Sequence, residues 1–209
     1  MDAIVIGGGI GGSVLALALH ASSVTHRIRV FEAASEMRAL GIGIHIGAHA
    51  MKELSALGLE DALVATSCQP EDYAFFTRHG QLVYREPWGL AAGHQWPHLS
   101  LHRGDLHQVL LDAVRDRIGA ENFITGHRCS AVEQDEAGVT AHFVSPDDAA
   151  LASETGDILV RIDDQPIDGI DALHRLLDAD RIGRRAELAL IRRDRQLTVS
   201  LVPTELAAA

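Results

Sequence analysis

Apolar and polar positions along the 209-residue chain change period several times, and each change marks an element. Residues 3–6 form a short apolar run that stops at Gly7-Gly8-Gly9-Ile10-Gly11-Gly12, and an apolar helical stretch follows over 13–21. That order predicts a buried strand, a glycine turn and a helix. A second strand is predicted over 27–31. Residues 103–118 place apolar side chains at Leu106, Val109, Leu110, Ala113, Val114 and Ile118, the spacing of an amphipathic helix. Residues 77–85 read as two strands joined at His79-Gly80, and 131–144 as two more joined at Glu136-Ala137-Gly138. Beyond Gly156 the pattern predicts a strand over 157–163, a helix over 169–177 and a hairpin over 186–203 that turns at Arg193-Asp194.

The glycine turn carries the first chemistry. Its G-x-G-x-x-G frame falls on Gly7, Gly9 and Gly12. In such a turn the first glycine allows the tight bend, the second lets backbone approach a pyrophosphate, and the third packs helix against strand. The helix start offers unpaired N–H groups and a partial positive charge to the anion. Glu32, 20 residues after Gly12, ends the second strand at the spacing of an acid that accepts ribose hydroxyls. An acid there favours an unphosphorylated ribose, hence FAD or NAD over NADP.

The residues after Glu32 resemble those of the class A flavin monooxygenases, the family of the para-hydroxybenzoate and salicylate hydroxylases. The likeness rests on Arg38, on Gly41-Ile42-Gly43-Ile44, on the L-x-x-L-G-L turn at 54–59, on LHRGDLHQVLLDAV at 101–114 and on the hairpin at 129–143. It covers residues 1 to about 160. The resemblance implies FAD as cofactor, with NAD(P)H as electron donor and a small aromatic substrate. It assigns cofactor contacts to Gly7, Gly9, Ile10, Gly11, Gly12, Glu32, Arg38 and Arg103, and assigns no catalytic residue. Family members continue with a strand close to GDILVGADG. This chain has GDILVRIDD at 156–164, so Asp163 matches the family's cofactor-contacting Asp while Arg161 and Asp164 replace both glycines.

From Gly156 the sequence resembles a second family, the C-terminal part of the PDZ domains attached to bacterial trypsin-like serine proteases. The matching parts are GDILVRIDDQPI, GIDALHRLL and the terminal hairpin. GDILV is common to both families, so the chain reads as a chimaera joined within 156–160. Two domains follow: 1–155, an α/β Rossmann-like FAD-binding fold of three layers, and 156–205, a partial PDZ-like segment. The PDZ strands that hold a peptide carboxylate are missing, so peptide binding by this segment is not expected. Leu173, Leu176 and Leu177 read as core. The flavin part lacks the family's later Gly-Asp motif and substrate sheet, so the expected protein is an FAD-binding, catalytically impaired monooxygenase. The alternatives are a peptide-interaction module and a product that does not fold stably.

Composition narrows this only at the margins. A net charge of -11 without a basic stripe speaks against nucleic acid. Cys68 and Cys129 form no C-x-x-C pair, and Pro97 interrupts the His94, His98, His102 spacing, so no metal is expected. With neither a signal peptide nor a membrane span legible, the expected compartment is the cytoplasm.

Overall fold

The computed structural model describes residues 2–22, 27–38, 41–135, 138–156, 158–163, 165–166, 184–192 and 195–202. In chain order the named elements are β1 (Asp2–Ile6), α1 (Ile10–Ala21), β2 (Arg27–Phe31), β3 (Gly43–Ile46), α2 (Ala48–Ala56), α3 (Glu60–Ala65), β4 (Asp72–Phe76) and β5 (Leu82–Pro87). They continue with β6 (Leu99–His102), α4 (Arg103–Ile118), β7 (Phe123–Ile124), β8 (Arg128–Asp135), β9 (Gly138–Val144), β10 (Glu154–Gly156), β11 (Ile158–Ile162), β12 (Gln165–Pro166), β13 (Ala186–Arg192) and β14 (Arg195–Leu201). Two compact units emerge, one from 1–37 and 114–207, the other essentially from 38–113. Among the described residues no helix is long and apolar enough to cross a membrane.

The first unit is built on a parallel sheet of order β1-β2-β7, with β2 at its centre. Alternation along β2 sorts its side chains between two faces. Phe31 stacks on Phe143 of β9, ring centroids 4.3 Å apart, and Ile4 of β1 packs on the same cluster. Arg29, also on that face, is buried and paired with Glu154 of β10. This face is therefore covered by the antiparallel sheet β10-β9-β8. Val5 faces the other way, against the start of α1, whose buried residues Ser13, Ala16 and Leu17 follow helical spacing. Burying one side chain of Phe or Leu size contributes about 1.5–3 kcal/mol. The result is an α/β arrangement of helix, parallel sheet and antiparallel sheet.

The C-terminal strands form a separate sheet of order β12-β11-β13-β14. Sequence left open whether the strand after Gly156 joins the parallel sheet or the terminal hairpin. It joins the hairpin: β11 pairs antiparallel with β13, which pairs antiparallel with β14. The helix predicted over 169–177 lies outside the described residues.

In the second unit β3 pairs antiparallel with β6, and α2 and α3 follow β3. The L-x-x-L-G-L sequence is the stop of α2. Gly58 takes φ +68, its N–H donates to Ser55 O at 2.7 Å, and Leu59 N–H donates to Leu54 O at 3.0 Å. These two bonds satisfy carbonyls that the ended helix leaves open, and Leu54 and Leu59 close the motif as a buried pair. The hairpin expected over 77–85 needs a correction. Its strands are β4 and β5, and residues 77–81 form the turn, closed by Thr77 N–H to Gln81 O at 2.8 Å. Tyr73, Phe75, Phe76, Val83 and Tyr84 are all exposed, so no buried face imposes the alternation by which strand ends are read.

Candidate dinucleotide site

The site begins where β1 ends. Gly7 takes φ +99, a conformation that disfavours residues with a side chain, and its N–H donates to Phe31 O at 2.8 Å. The chain then turns back into α1. A Cβ on Gly12 would lie 1.8 Å from the Gly7 carbonyl oxygen, so only glycine lets the helix sit this close to the strand. Gly8 is also confined, though by a side chain rather than backbone, since a Cβ there would lie 2.4 Å from the Phe123 ring.

Gly9 and Gly11 differ in kind. Gly9 is the N-cap of α1 in an extended conformation that any residue can adopt, with no side-chain cap. A Cβ at either position would meet nothing within 4 Å. Neither backbone strain nor crowding therefore requires glycine at Gly9. What its bare Cα preserves is clearance above the first turn of the helix. That is the space a pyrophosphate needs to reach backbone N–H groups, so the residues fit the dinucleotide expected from the sequence.

Glu32 sits immediately after β2 and holds this turn from the side. Its Oε2 accepts the Gly8 N–H at 2.7 Å and its Oε1 accepts the Ala34 N–H at 2.8 Å. Its backbone is fixed between Ile124, whose carbonyl accepts Glu32 N–H, and His127, whose N–H donates to Glu32 O. Ser13 Oγ donates to Gly8 O at 3.3 Å from the α1 side. The half-buried carboxylate thus lies beside the turn, where it can accept hydroxyl donors of a ribose. Sequence reading missed Gly8 and Phe123 as shapers of this site. The three consecutive glycines were the only available signal, because the partner ring is contributed from 115 residues further along.

The other assigned residues belong to other elements. Arg38 and Arg103 belong to the unit of residues 38–113, and both are exposed. Arg103 opens α4, its N–H donates to Ile42 O at 3.1 Å, and its side chain runs beside Gly41, where an added Cβ would come within 3.1 Å of Arg103 Cβ. The glycine of the G-x-G-I stretch therefore leaves room for this arginine. Asp163 lies in the C-terminal sheet with φ +49; its N–H donates to Glu187 O at 2.7 Å and its Oδ1 accepts Glu187 N–H at 2.8 Å. These bonds give it a place in strand pairing. Among the described residues no group of three or more His, Cys, Asp or Glu is arranged to hold a metal ion.

Comparison with known proteins bears directly on this geometry. Residues 1–152 match the family described as FAD binding domain. Over 187 residues, the chain is 37% identical to phenazine 1,6-dicarboxylic acid hydroxylase PhzS of Lysobacter antibioticus, covering 90% of this chain and 44% of that protein. It is 34% identical to 6-hydroxynicotinate 3-monooxygenase of Pseudomonas fluorescens, over 75% of this chain and 38% of the relative. Among solved structures, Klebsiella pneumoniae HpxO, complexed with FAD and uric acid, superposes with a TM-score of 0.60 at 29% identity, over 77% of this chain and 38% of that one. The p-nitrophenol 4-monooxygenase PnpA of Pseudomonas putida, with a TM-score of 0.62 at 24% identity over 73% of this chain and 38% of that one, shares the fold. The chain spans less than half the length of these relatives. The 187-residue alignment cannot fit before Gly156, so kinship with the Lysobacter hydroxylase runs into the C-terminal segment. With the glycine turn and Glu32 in place, the chain belongs to the FAD binding domain family of the flavin-dependent aromatic monooxygenases, and its cofactor is FAD.

Proposed function

We propose that these residues are the FAD-holding part of a monooxygenase acting on a planar, carboxylated aromatic ring, with NAD(P)H as electron donor. The observation that carries this is the Gly7 to Gly12 turn tied to Glu32 beneath an open helix start. The substrate class follows from the relatives, whose names specify a phenazine dicarboxylic acid, 6-hydroxynicotinate and 3-hydroxybenzoate. Bound FAD would supply the redox chemistry, while the residues described here bind and orient it. Gly7, Gly9, Ile10, Gly11 and Gly12 would receive the pyrophosphate, Glu32 the ribose, and Arg38 and Arg103 further parts of the cofactor. This reading assigns no role to nucleic acid, membrane or peptide, and the proposed compartment is the cytoplasm.

We also propose that the chain is catalytically impaired and that its motif departs from the family's pattern just after GDILV, although the alignment with the Lysobacter hydroxylase continues past it. In the sequence Arg161 and Asp164 stand where the family has glycines, and a long cation or an added anion is ill suited to letting backbone approach a dianion. The pairing of β11 with β13 favours a second reading, a PDZ-like peptide module fused at 156–160. Sequencing the gene across these codons tests the fusion, and recovery of a different reading frame would remove it.

The deciding experiment is titration of flavin-free protein with FAD, followed by quenching of flavin fluorescence, with ADP as competitor. Saturable binding that ADP displaces and Gly9→Asp abolishes is expected. Absence of binding by a folded protein would leave only ancestry behind the resemblance.

A further inference from the structure

Among the described residues, β4 and β5 form a two-stranded sheet with no further strand on either side. A lone hairpin is marginal in water, and a third strand or a packed face is normally needed to hold one. Tyr73, Phe75 and Phe76 of β4 and Leu82, Val83 and Tyr84 of β5 are nonetheless exposed. They are six of the thirteen large exposed hydrophobics among the described residues, and a cluster of this size marks an interaction surface.

The ladder shows which edge is open for pairing. Trp88 N–H donates to Glu71 O at 2.8 Å, and the register continues with Asp72 opposite Pro87, Tyr73 opposite Glu86, Ala74 opposite Arg85 and Phe75 opposite Tyr84. Bonded and unbonded pairs alternate along an antiparallel ladder, so Tyr73 and Phe75 turn their N–H and C=O groups towards β5. Asp72, Ala74 and Phe76 turn theirs outward. Pro87, opposite Asp72, has no N–H to give, which agrees with this phase. The outer side of β5 is a poor template, because Pro87 lies on it and the extra residue of the register shift, Val83, interrupts it. β4 has neither proline nor cation, and its five residues are Asp72-Tyr73-Ala74-Phe75-Phe76.

This edge is complementary to itself. Outward groups can bond only to outward groups, and a register centred on Ala74 pairs them all. Ala74 then lies opposite Ala74 of a second copy, and Asp72 opposite its Phe76, about a two-fold axis. Cross-strand partners share a face, so Tyr73 comes opposite Phe75 of the second copy on one side of the sheet. Within one copy these rings already meet edge-on at 4.9 Å, and Tyr73 lies 5.2 Å from Trp88, so pairing extends one row of rings into another. Charge agrees as well: the acidic start, Glu71 and Asp72, runs to the second copy's turn, where Arg78 and His79 are exposed.

We propose that the β4 edge is a self-association surface, through which two copies of this chain join antiparallel about Ala74 into a four-stranded sheet. This pairing draws on the hairpin alone and does not depend on FAD.

The test is sedimentation velocity of the full chain from about 1 µM to about 500 µM, with amide hydrogen exchange of the same samples followed by NMR. A concentration-dependent equilibrium between monomer and dimer is expected. The amides of Asp72, Ala74 and Phe76 should exchange about tenfold more slowly once dimer predominates. Ala74→Pro removes an N–H that the monomer does not use and should raise the dissociation constant about tenfold or more. Val83→Lys, on the other strand, should leave it within about twofold. A monomer throughout the range, a dimer unaffected by Ala74→Pro, a dimer lost in Val83→Lys, or unchanged exchange at the three amides would each overturn the proposal. Exchange is read on the wild-type chain, so the test remains decisive if a variant fails to fold.

Discussion

Glu32 accepts the backbone N–H of Gly8 at 2.7 Å, joining the acid that ends β2 to the turn that ends β1. One carboxylate therefore shapes the turn and, in the proposed reading, accepts the ribose hydroxyls. Replacing it separates the two roles. Glu32→Ala leaves the Gly8 and Ala34 N–H groups without their acceptor, at a cost of about 1–3 kcal/mol. Glu32→Gln retains an acceptor oxygen and should lower stability less, while still weakening FAD by loss of the charged acceptor. Urea denaturation beside flavin fluorescence quenching reads both effects. Equal stability of the Ala and Gln variants would show that the Gly8 bond does not hold the turn.

The glycines of the turn should divide sharply. Gly12→Ala places a Cβ 1.8 Å from the Gly7 carbonyl oxygen, so strand and helix must separate. Overpacking of this kind commonly costs about 1–3 kcal/mol, and backbone against backbone lies at the upper end or beyond. Gly11→Ala meets nothing within 4 Å and should leave the thermal midpoint unchanged or raised. Thermal unfolding of the two single variants provides the comparison. A Gly12→Ala midpoint equal to that of Gly11→Ala would refute the assigned close approach.

Legibility in the sequence followed what each residue depends on. The span of α4 could be read whole, because its apolar spacing is local. So could β2, whose end at Phe31 is followed by the acid. The hairpin β4–β5 was displaced because its aromatic residues face solvent and carry no period. The strand after Gly156 could not be placed, because GDILV suits either sheet and the pairing of β11 with β13 depends on residues some 30 positions away. Gly7, Gly9, Gly12 and Glu32 were legible through fixed spacing. Phe123 was not, since its ring reaches the turn from a distant segment.

The ion pair of Arg29 with Glu154 ties β10 to the parallel sheet. Its side chains are 10% and 26% exposed, so the pair is largely desolvated but Glu154 retains access to water. Arg29→Leu should therefore cost less than the 3–5 kcal/mol of a fully buried broken pair, about 1–3 kcal/mol. The double variant Arg29→Leu with Glu154→Leu should recover much of that loss, since no uncompensated charge remains. Denaturant midpoints of the four members of the cycle measure the coupling. Strict additivity would mean that Arg29 acts only through packing, as its position 5.8 Å over the Phe31 ring permits.

His98 should make stability depend on pH in a definite direction. Burial first, and then the charges of His94, His49 and His45, lower its pKa in the folded protein below the 6.5 of the unfolded chain. Above 6.5 both states are neutral at this ring and it contributes no slope. As pH falls through 6.5 the unfolded chain takes up the proton first, so stability declines until the lower folded pKa is passed, and then levels. His98→Gln removes that titration while keeping an amide where Nε2 lies. Urea midpoints at pH 8, 6.5 and 5 should therefore fall more steeply for the wild-type chain than for the variant. Parallel profiles would mean that folding leaves the His98 pKa unchanged and that the slope comes from its neighbours alone.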